Sequence, residues 1–423
     1  MLDRVMRFAS AREIKARARR LAIHCAVVAS LALLASGPFL QAQEADALRE
    51  RLQTRLSELQ AKSGVPGGTA AVVLPDGRSF ELAAGTSDIK RKIPMQPGGL
   101  FMAGSTGKTF VAAIILQLVA ENRIQLDDHI SKWLGRNDWF SRLPNGPDIT
   151  LRMLLNHTSG IPDHVVNHKF IDAVFASPDR VWKPEELVGY ILDAKPQSPA
   201  GVAFHYTDTN YVLLGMIIES VTGSSYYSEL DRRIFQPLSL RHTVPNNQRR
   251  IPGLVQGYSG GAKRSWYEYG DDKLDASPEP GSAAAADAML VDGEFVINPQ
   301  FEWTGGGLAM TSENLARWAK AVYEGRVFSQ ALLDEALRAP ARSTNGHGYY
   351  GLGVGVASTG FGPRYGHGGY FPGYGATMAY FPHAKVAIAV LINSSAPGVH
   401  SFSQQFVVDA MRMITEDGAH PHR

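Results

Sequence analysis

The chain has 423 residues, of which 44% are apolar and 19% charged, so it can bury the core of one large domain or of two ordinary ones. A formal net charge of +2 and a single cysteine, Cys25, exclude two classes of protein at the outset. Neither a basic nucleic-acid-binding surface nor a disulfide framework is indicated, and nucleic acid is not an expected partner.

Residues 1–42 have the layout of a secretory signal peptide. Residues 1–20 contain seven basic and two acidic residues, residues 21–34 are uncharged, and a break at Ser36–Pro38 precedes Ala42, a small residue for cleavage. The uncharged stretch is short for a membrane span, which takes about 20 residues. We therefore expect export to the periplasm, and a membrane partner only if the segment remains as an uncleaved anchor.

Cleavage of that segment would change the charge of the protein. The segment carries a net charge of +5, so the mature protein would carry a net charge of −3. It would also contain no cysteine, because Cys25 lies within the segment. A protein without thiols is suited to an oxidising compartment.

The part of the chain after residue 42 begins with alternating helix and strand signals. Leucines at helical spacing predict a helix over 44–63, and β-rich runs on either side of Pro75–Gly77 predict a hairpin over 69–83. An apolar run at 110–120 predicts a helix that begins near Ser105.

The middle of the chain is predicted to be mainly helical and its end mainly β. The predicted elements are, in order, helices at 150–156, 185–192 and 210–222, a flexible loop at 278–287, a helix capped by Thr311, strands at 349–356, 375–381 and 385–393, and a closing helix at 399–414. Strands near both ends with helices between them predict an α/β (α+β) fold. In it, one antiparallel sheet is built from the N- and C-terminal segments and flanked by helices. Residues 43–125 and 301–423 would form the α/β domain, and 126–300 an inserted helical domain with cleft loops.

Ser105 and Lys108 form the most informative pair in the chain. They stand at i and i+3, so they share one face of the predicted helix. A serine hydroxyl is a weak nucleophile and needs a base beside it; a lysine whose burial favours the neutral form can be that base. The helix N-terminus adds positive potential where an oxyanion would form. Ser87 and Lys90 have the same spacing, but Pro94 and the lack of an apolar run predict a solvated loop there.

Further segments add candidate site residues. Tyr206 precedes a turn and an apolar helix, which can direct its hydroxyl into a cleft. The glycines within 365–370 allow a backbone to approach a substrate, and their N–H groups can hold an oxyanion. Two more segments, 154–162 and 305–311, read LLNHTSGIP and GGGLAMT.

These segments together resemble the serine β-lactamase and D,D-peptidase superfamily. The branch concerned holds class C β-lactamases, D-alanyl-D-alanine carboxypeptidases, D-aminopeptidases and related esterases. It carries Ser-x-x-Lys, then Tyr-x-Asn, then Lys- or His-x-Gly, and a related set marks the class A enzymes. The matches, in chain order, are Ser105 and Lys108, Tyr206 and Asp208, and His367 and Gly369. The resemblance extends over residues 45–415 and implies a β-lactamase/transpeptidase-like fold.

The resemblance also implies an acyl-enzyme mechanism. Ser105 would attack a carbonyl, Lys108 and Tyr206 would take its proton and return it to the leaving group, and water would hydrolyse the ester. Backbone N–H groups of Ser105 and Tyr370 would form the oxyanion hole. On the substrate-binding side the implied residues are Asp208, His367, Gly369 and Tyr370, and neither a metal nor a cofactor is expected.

The chain departs from the family pattern at two positions. Asp208 stands where asparagine is usual, and a carboxylate cannot donate a hydrogen bond to a substrate carbonyl. Its charge would favour the charged form of Lys108, so we expect Asp208 mainly to position Lys108 and Tyr206 to do more of the base work. Gly368 supplies neither the charge nor the hydroxyl that helps relatives to hold a substrate carboxylate. This favours a D-amino-acid amidase, peptidase or esterase over an efficient β-lactamase.

The expected function is therefore an exported serine hydrolase for an amide or ester. The first expectation is a D-amino-acid-containing peptide, such as a small cell-wall fragment, cleaved in the manner of a D,D-carboxypeptidase or D-aminopeptidase. The alternatives are an esterase, a weak class C-like β-lactamase and, outside catalysis, a penicilloyl-binding sensor or an inactive scaffold.

Two unrelated activities are disfavoured by the residues themselves. The segment around Ser105 resembles a phosphate-binding loop, but Met102 stands where that motif requires glycine. His157, His164 and His168 could suggest a metal hydrolase, yet no carboxylate completes a His-Glu-x-x-His set. We expect these histidines to be structural or solvated.

Overall fold

The computed structural model describes residues 43, 45–259, 266, 287–338, 341–342, 348–396 and 399–418. The predicted signal peptide and the predicted loop up to residue 286 lie outside these ranges. Contacts divide the chain into a unit of residues 1–52 and a unit of residues 53–423. In the first unit residues 45–52 are helical. In the second, residues 53–63 are helical and are called α1 here.

Most strands of the second unit belong to one large antiparallel sheet. The strands are β1 (Gly67–Val73), β2 (Ser79–Asp88), β3 (Ile93–Pro94), β4 (Phe101–Met102), β5 (Thr243–Pro245), β6 (Tyr258–Ser259), β7 (Asp287–Ala288), β8 (Leu290–Val291), β9 (Glu294–Phe295), β10 (Leu308–Met310), β11 (Ala341–Arg342), β12 (Tyr349–Tyr350), β13 (Gly355–Thr359), β14 (Gly362–Phe371), β15 (Tyr374–Phe381) and β16 (Val386–Ile392). The large sheet has the order β11-β12-β13-β14-β15-β16-β1-β2-β3. The chain's early strands therefore pair with its late ones, as the sequence predicted.

Helices flank this sheet and fill the middle of the chain. They are α2 (Lys108–Ala120), α3 (Ser131–Leu134), α4 (Leu151–Leu155), α5 (His168–Ala176), α6 (Pro184–Gly189), α7 (Asp208–Thr222), α8 (Tyr226–Leu230), α9 (Gln236–Leu238), α10 (Trp303–Gly306), α11 (Ser312–Tyr323), α12 (Gln330–Leu337) and α13 (Val399–Gly418). Helices α11 and α13 pack on β15 and β16. None of the described helices is both long enough and apolar enough to span a bilayer. The proposed borders of an inserted domain, at 125 and 300, stay a prediction.

The core is built where the sequence is uniformly apolar. Every residue of β1, β15 and β16 is buried, as expected for central strands covered on both faces. Helix α2 is apolar on all sides and runs through the interior. A residue at the first turn of such a helix is held rigidly, and that turn carries Lys108.

Two predicted local structures are wrong in detail. Ser87 belongs to β2 and not to a loop, because Thr86 and Asp88 pair with β3 across a β-bulge. Pro94 is accommodated there because β3 is an edge strand. The predicted strand at 349–356 is split into β12 and β13, since Gly353 lies between them with φ +74° and its N–H bonds to a carbonyl outside the sheet.

Candidate active site

Ser105 lies in a 3₁₀ turn, Gly104–Gly107, that runs directly into α2. The sequence predicted a helix start here, and the tighter turn is a refinement of that prediction. With three residues per turn, the side chains of Ser105 and Lys108 come into line. Gly104 has φ +50°, and a Cβ on it would lie 2.4 Å from the Tyr370 carbonyl oxygen, so only glycine fits.

Lys108 is fully buried and its ammonium nitrogen has three acceptors. Nζ lies 2.9 Å from Ser105 Oγ, 2.5 Å from the carbonyl oxygen of Gly305 and 2.6 Å from Asp208 Oδ1. A lysine ammonium has three N–H donors, so all of them are used inside the protein. Ser105 Oγ accepts one of these bonds, which leaves its own proton to be donated elsewhere.

Asp208 is placed by the start of α7. Thr207 is the N-cap, and its side chain accepts a hydrogen bond from the N–H of Thr209. His157, from the segment 154–162, accepts through Nδ1 from the N–H of Thr207 at 3.2 Å. This segment thus fixes the turn that presents Tyr206 and Asp208. The predicted Ser-x-x-Lys and Tyr-x-Asp motifs are brought together.

Tyr206 lies against the lysine. The centre of its ring is 5.1 Å from Lys108 Nζ. Burial, and next the negative charge of Asp208, raise the pKa of Tyr206 well above 10, whereas the Ser105 hydroxyl acts to lower it. Tyr206 is therefore a neutral phenol in the resting protein. It can accept a proton only as it gives up its own.

The His-Gly-Gly segment belongs to β14, whose edge faces the Ser105 turn. Strand β13 pairs with β14 only as far as Gly366, and the following residues approach the turn instead. A Cβ on Gly369 would lie 2.0 Å from the Ala103 carbonyl oxygen. The backbones of Ser105 and Tyr370 are thus brought side by side, where an oxyanion hole was predicted.

His367 is half-buried and faces the same cluster of rings. Its Nδ1 donates to the Gly368 carbonyl oxygen at 2.5 Å, and its Nε2 accepts from the Tyr350 hydroxyl at 2.7 Å. Burial lowers the pKa of His367 to about 4, so it is uncharged at neutral pH. Tyr350, which sequence reasoning placed only in a strand, also packs edge-on against Tyr206.

Two buried carboxyl groups near Lys108 were missed by the sequence reasoning. Asp163 Oδ1 accepts from the N–H of Asp208 at 3.1 Å, and burial together with Asp208 raises the pKa of Asp163 to about 7. Glu302 accepts at Oε2 from Asn246 Nδ2 at 2.9 Å, and burial and Asp208 raise its pKa to about 8. Asp163 directly follows the segment 154–162, and Glu302 lies just before the segment 305–311. This proximity was the signal in the sequence that could have identified them.

The three candidate metal-binding histidines have other surroundings. His157 and His164 are buried and neutral, because burial and the charge of Lys108 lower their pKa values, that of His164 to about 3. His164 Nδ1 is 2.9 Å from Thr209 Oγ1, and His168 is exposed at the start of α5. In the described part of the chain no group of His, Cys, Asp and Glu is arranged to hold a metal.

A small pocket opens beside Ser105. It has a volume of about 30 Å³ and is lined by Ser105, Val165, Asp208, Trp266, Phe301, Glu302, Tyr370, Phe371 and Pro372. Trp266 stacks on Phe301, with 5.2 Å between ring centres. The lining of the pocket thus combines aromatic rings with the nucleophile and two carboxyl groups.

The geometry agrees with the comparison of the whole sequence with known families. Residues 52–409 match the Beta-lactamase family. The chain belongs to this family. Penicillin-binding protein 4* of Bacillus subtilis is 28% identical over 363 residues, covering 80% of this chain and 71% of its own. The chain spans 61% of the length of PbpX from the same organism.

Two solved structures that are similar to this chain are those of amide hydrolases. A D-stereospecific amidohydrolase from Streptomyces sp. is 28% identical, with a TM-score of 0.70 over 85% of this chain and 97% of its own. The D-amino acid amidase of Ochrobactrum anthropi SV3, complexed with L-phenylalanine amide, is 26% identical, with a TM-score of 0.70 over 86% and 99% of the two chains. The chain is thus a serine hydrolase of amides or esters with the expected fold.

Proposed function

We propose that the protein is an exported hydrolase that cleaves amides of D-amino acids, or short peptides containing them, through an acyl-enzyme on Ser105. The observation that carries the proposal is the buried Lys108 ammonium, 2.9 Å from Ser105 Oγ. The similarity to the two D-specific amide hydrolases supports the D-amino-acid part. A small cell-wall fragment that contains a D-amino acid would be a substrate of this kind.

The first step is attack of Ser105 Oγ on the scissile carbonyl. The Ser105 proton passes to Tyr206 Oη as the Tyr206 proton passes to the leaving nitrogen, so Tyr206 ends as it began. Lys108 donates to Ser105 Oγ and stabilises the negative charge that develops on it. The carbon–nitrogen bond breaks, the amine leaves, and an ester to Ser105 remains.

The second step is hydrolysis of that ester. Water adds to the ester carbonyl and gives its proton to Tyr206 Oη as the Tyr206 proton passes to Ser105 Oγ. The bond between Ser105 Oγ and the acyl carbon breaks, and the acid leaves. The backbone N–H groups of Ser105 and Tyr370 would hold the oxyanion in both steps, and one such donor contributes about 3–4 kcal/mol.

An esterase is the second candidate. Gly368 is exposed, and a Cβ on it would meet only the Ala376 carbonyl oxygen, at 4.0 Å. The strand therefore presents neither charge nor hydroxyl at the position where relatives hold a carboxylate. This feature favours neutral acyl groups over the carboxylate-bearing substrates of β-lactamases and D,D-carboxypeptidases.

The test compares D- and L-phenylalanine p-nitroanilide, p-nitrophenyl butyrate and a chromogenic cephalosporin, with Ser105→Ala as the control. We expect D-selective anilide cleavage that Ser105→Ala abolishes, and intact-protein mass spectrometry should show a labile acyl adduct. Ester cleavage without any amide cleavage would make the protein an esterase. A penicilloyl adduct that persists for hours would identify a sensor.

Export is proposed from the charge and apolar pattern of residues 1–42. Fractionation of the native host and mass determination of the secreted chain should give a protein beginning after Ala42. Retention of the full chain in the membrane fraction would show an anchor instead.

A further inference from the structure

We propose that a cavity on the outer side of helix α11 is a second binding site, which binds a phosphate group through Lys320, Arg317 and Arg326. The phosphate is either the free ion or part of a small phosphorylated molecule. The cavity has no described lining residue in common with the pocket beside Ser105, so the inference does not depend on the proposed hydrolysis.

Three parts of the fold enclose the cavity. They are the turn between β1 and β2, the residues from the end of α9 to Leu240, and helix α11 with the loop that follows it. The lining residues of α11 share one face of the helix, because residues 313, 320 and 321 stand three or four positions from residue 317. The cavity volume of about 340 Å³ lies within the range of about 300–1,000 Å³ for small-molecule sites.

Lys320 supplies the buried charge of the cavity. Its side chain is 8% exposed, and Nζ donates to Glu324 Oε1 and to the Lys385 carbonyl oxygen, both at 2.7 Å. An ammonium group has three N–H donors, so the third has no acceptor among the described residues. A buried donor without a partner is unfavourable, and an oxyanion in the cavity would accept a charge-assisted hydrogen bond from it.

Two arginines add charge that the protein itself leaves largely unpaired. The Arg326 side chain has neither a hydrogen bond nor an ion pair with a described residue. Arg317 is 3.8 Å from Glu313 Oε1, which is too long for a hydrogen bond. Guanidinium groups are weakly hydrated and present paired N–H donors that match the oxygens of a phosphate. The arginines can therefore bind a phosphate from the exposed side of the cavity while Lys320 binds it from the buried side.

The balance of charge favours phosphate over a carboxylate. Among the described charged residues that line the cavity, three are basic and one, Glu313, is acidic. A phosphate monoester carries nearly two negative charges at neutral pH and three acceptor oxygens, so it can bind three cationic groups at once. A carboxylate offers one charge and two oxygens. Val73, Leu238 and Leu240 add apolar surface, which suits the organic part of a phosphorylated molecule.

The experiment is isothermal titration calorimetry of the purified protein with inorganic phosphate and with glycerol 3-phosphate, at constant ionic strength in a buffer without phosphate. We expect both to bind, and the tighter ligand identifies the source of the phosphate group. Arg326→Gln should raise the Kd about 10- to 100-fold, the range for a hydrogen bond to a charged group. The control is Arg338→Gln, because Arg338 is an exposed arginine that pairs with Glu335 of α12. It should leave the Kd unchanged.

Further comparisons decide whether the phosphate binds at this cavity. Ser105→Ala should bind phosphate as tightly as the wild type, and loss of binding in that variant would place the phosphate in the active site and overturn the inference. Binding that Arg326→Gln leaves unchanged, no binding at millimolar concentrations, or tighter binding of the dicarboxylate succinate would each overturn it as well. None of these measurements uses hydrolysis, so the proposed function can fail while this inference stands.

Discussion

Lys108 is the central residue of the site, and Asp208 is the hydrogen-bond acceptor that distinguishes this chain from the family pattern. The Oδ1 of Asp208 is 2.6 Å from Nζ. An asparagine oxygen could accept the same hydrogen bond, so the position of the lysine does not require the negative charge. The charge instead adds an ion pair to that hydrogen bond.

Asp208→Asn should therefore leave kcat/KM within about tenfold of wild type, because the asparagine oxygen can keep the hydrogen bond to Lys108. The measurement is kcat/KM from pH 5 to 9 with a D-amino-acid anilide. Asp128→Asn is the matched control, because Asp128 also pairs with a lysine, Lys132, but at the surface. A loss of more than about a thousandfold in a folded Asp208→Asn protein would contradict a positioning role.

Tyr206 offers the sharper test of proton transfer. Because its pKa is raised, it serves as a relay and not as a resting phenolate. Tyr206→Phe removes only the hydroxyl and should lower kcat by about 10²- to 10⁴-fold, with little change in the melting temperature. Tyr323→Phe is the control, since the Tyr323 hydroxyl is likewise buried and has no hydrogen-bond partner among the described residues. Equal kcat in the two variants would exclude the relay.

At the scale of elements, the site depends on how closely β14 approaches the Ser105 turn. Gly369→Ala would place a Cβ 2.0 Å from the Ala103 carbonyl oxygen, and backbone must move to relieve the contact. We expect a loss of about 1–3 kcal/mol in the free energy of unfolding and a lower kcat, because the oxyanion donors separate.

Gly368→Ala is the matched control for this prediction. The added Cβ would have no neighbour closer than 4.0 Å, so denaturant midpoint and kcat should remain those of the wild type. Gly368→Ala as damaging as Gly369→Ala would show that the strand tolerates no side chain, whatever its distance from the turn.

The parts of the site that could be predicted from the sequence are those whose residues lie close together in the chain. Ser105, Lys108 and the Tyr206–Asp208 turn lie in short motifs beside strongly apolar helices, and the structure brings them together. Tyr350 carries no such signal, since it reaches the site through packing of a distant segment. The split between β12 and β13 was missed because it arises from the contact of Gly353 with α2, where a Cβ would lie 2.5 Å from that of Ala112.

For the whole molecule, the buried titratable groups make stability depend on pH in opposing ways. His164 stays neutral when folded, so its contribution is lost as the pH falls from 6.5 toward about 3. Glu302 has the opposite sign: its pKa is raised from 4.5 to about 8, so the folded state holds a proton that the unfolded state releases. Its contribution is complete below pH 4.5 and is lost as the pH rises to 8.

Glu302→Gln isolates this contribution, because the histidines are common to both proteins and cancel in the difference. Relative to wild type, the variant should gain stability steadily between pH 5 and pH 8, since glutamine has no proton to lose. Urea unfolding at pH 5, 6.5 and 8 measures the difference, and Glu313→Gln controls for the substitution. A constant difference between Glu302→Gln and wild type would mean that Glu302 is already ionised at pH 5. The negative charge would then be present in the resting protein, close to that of Asp208.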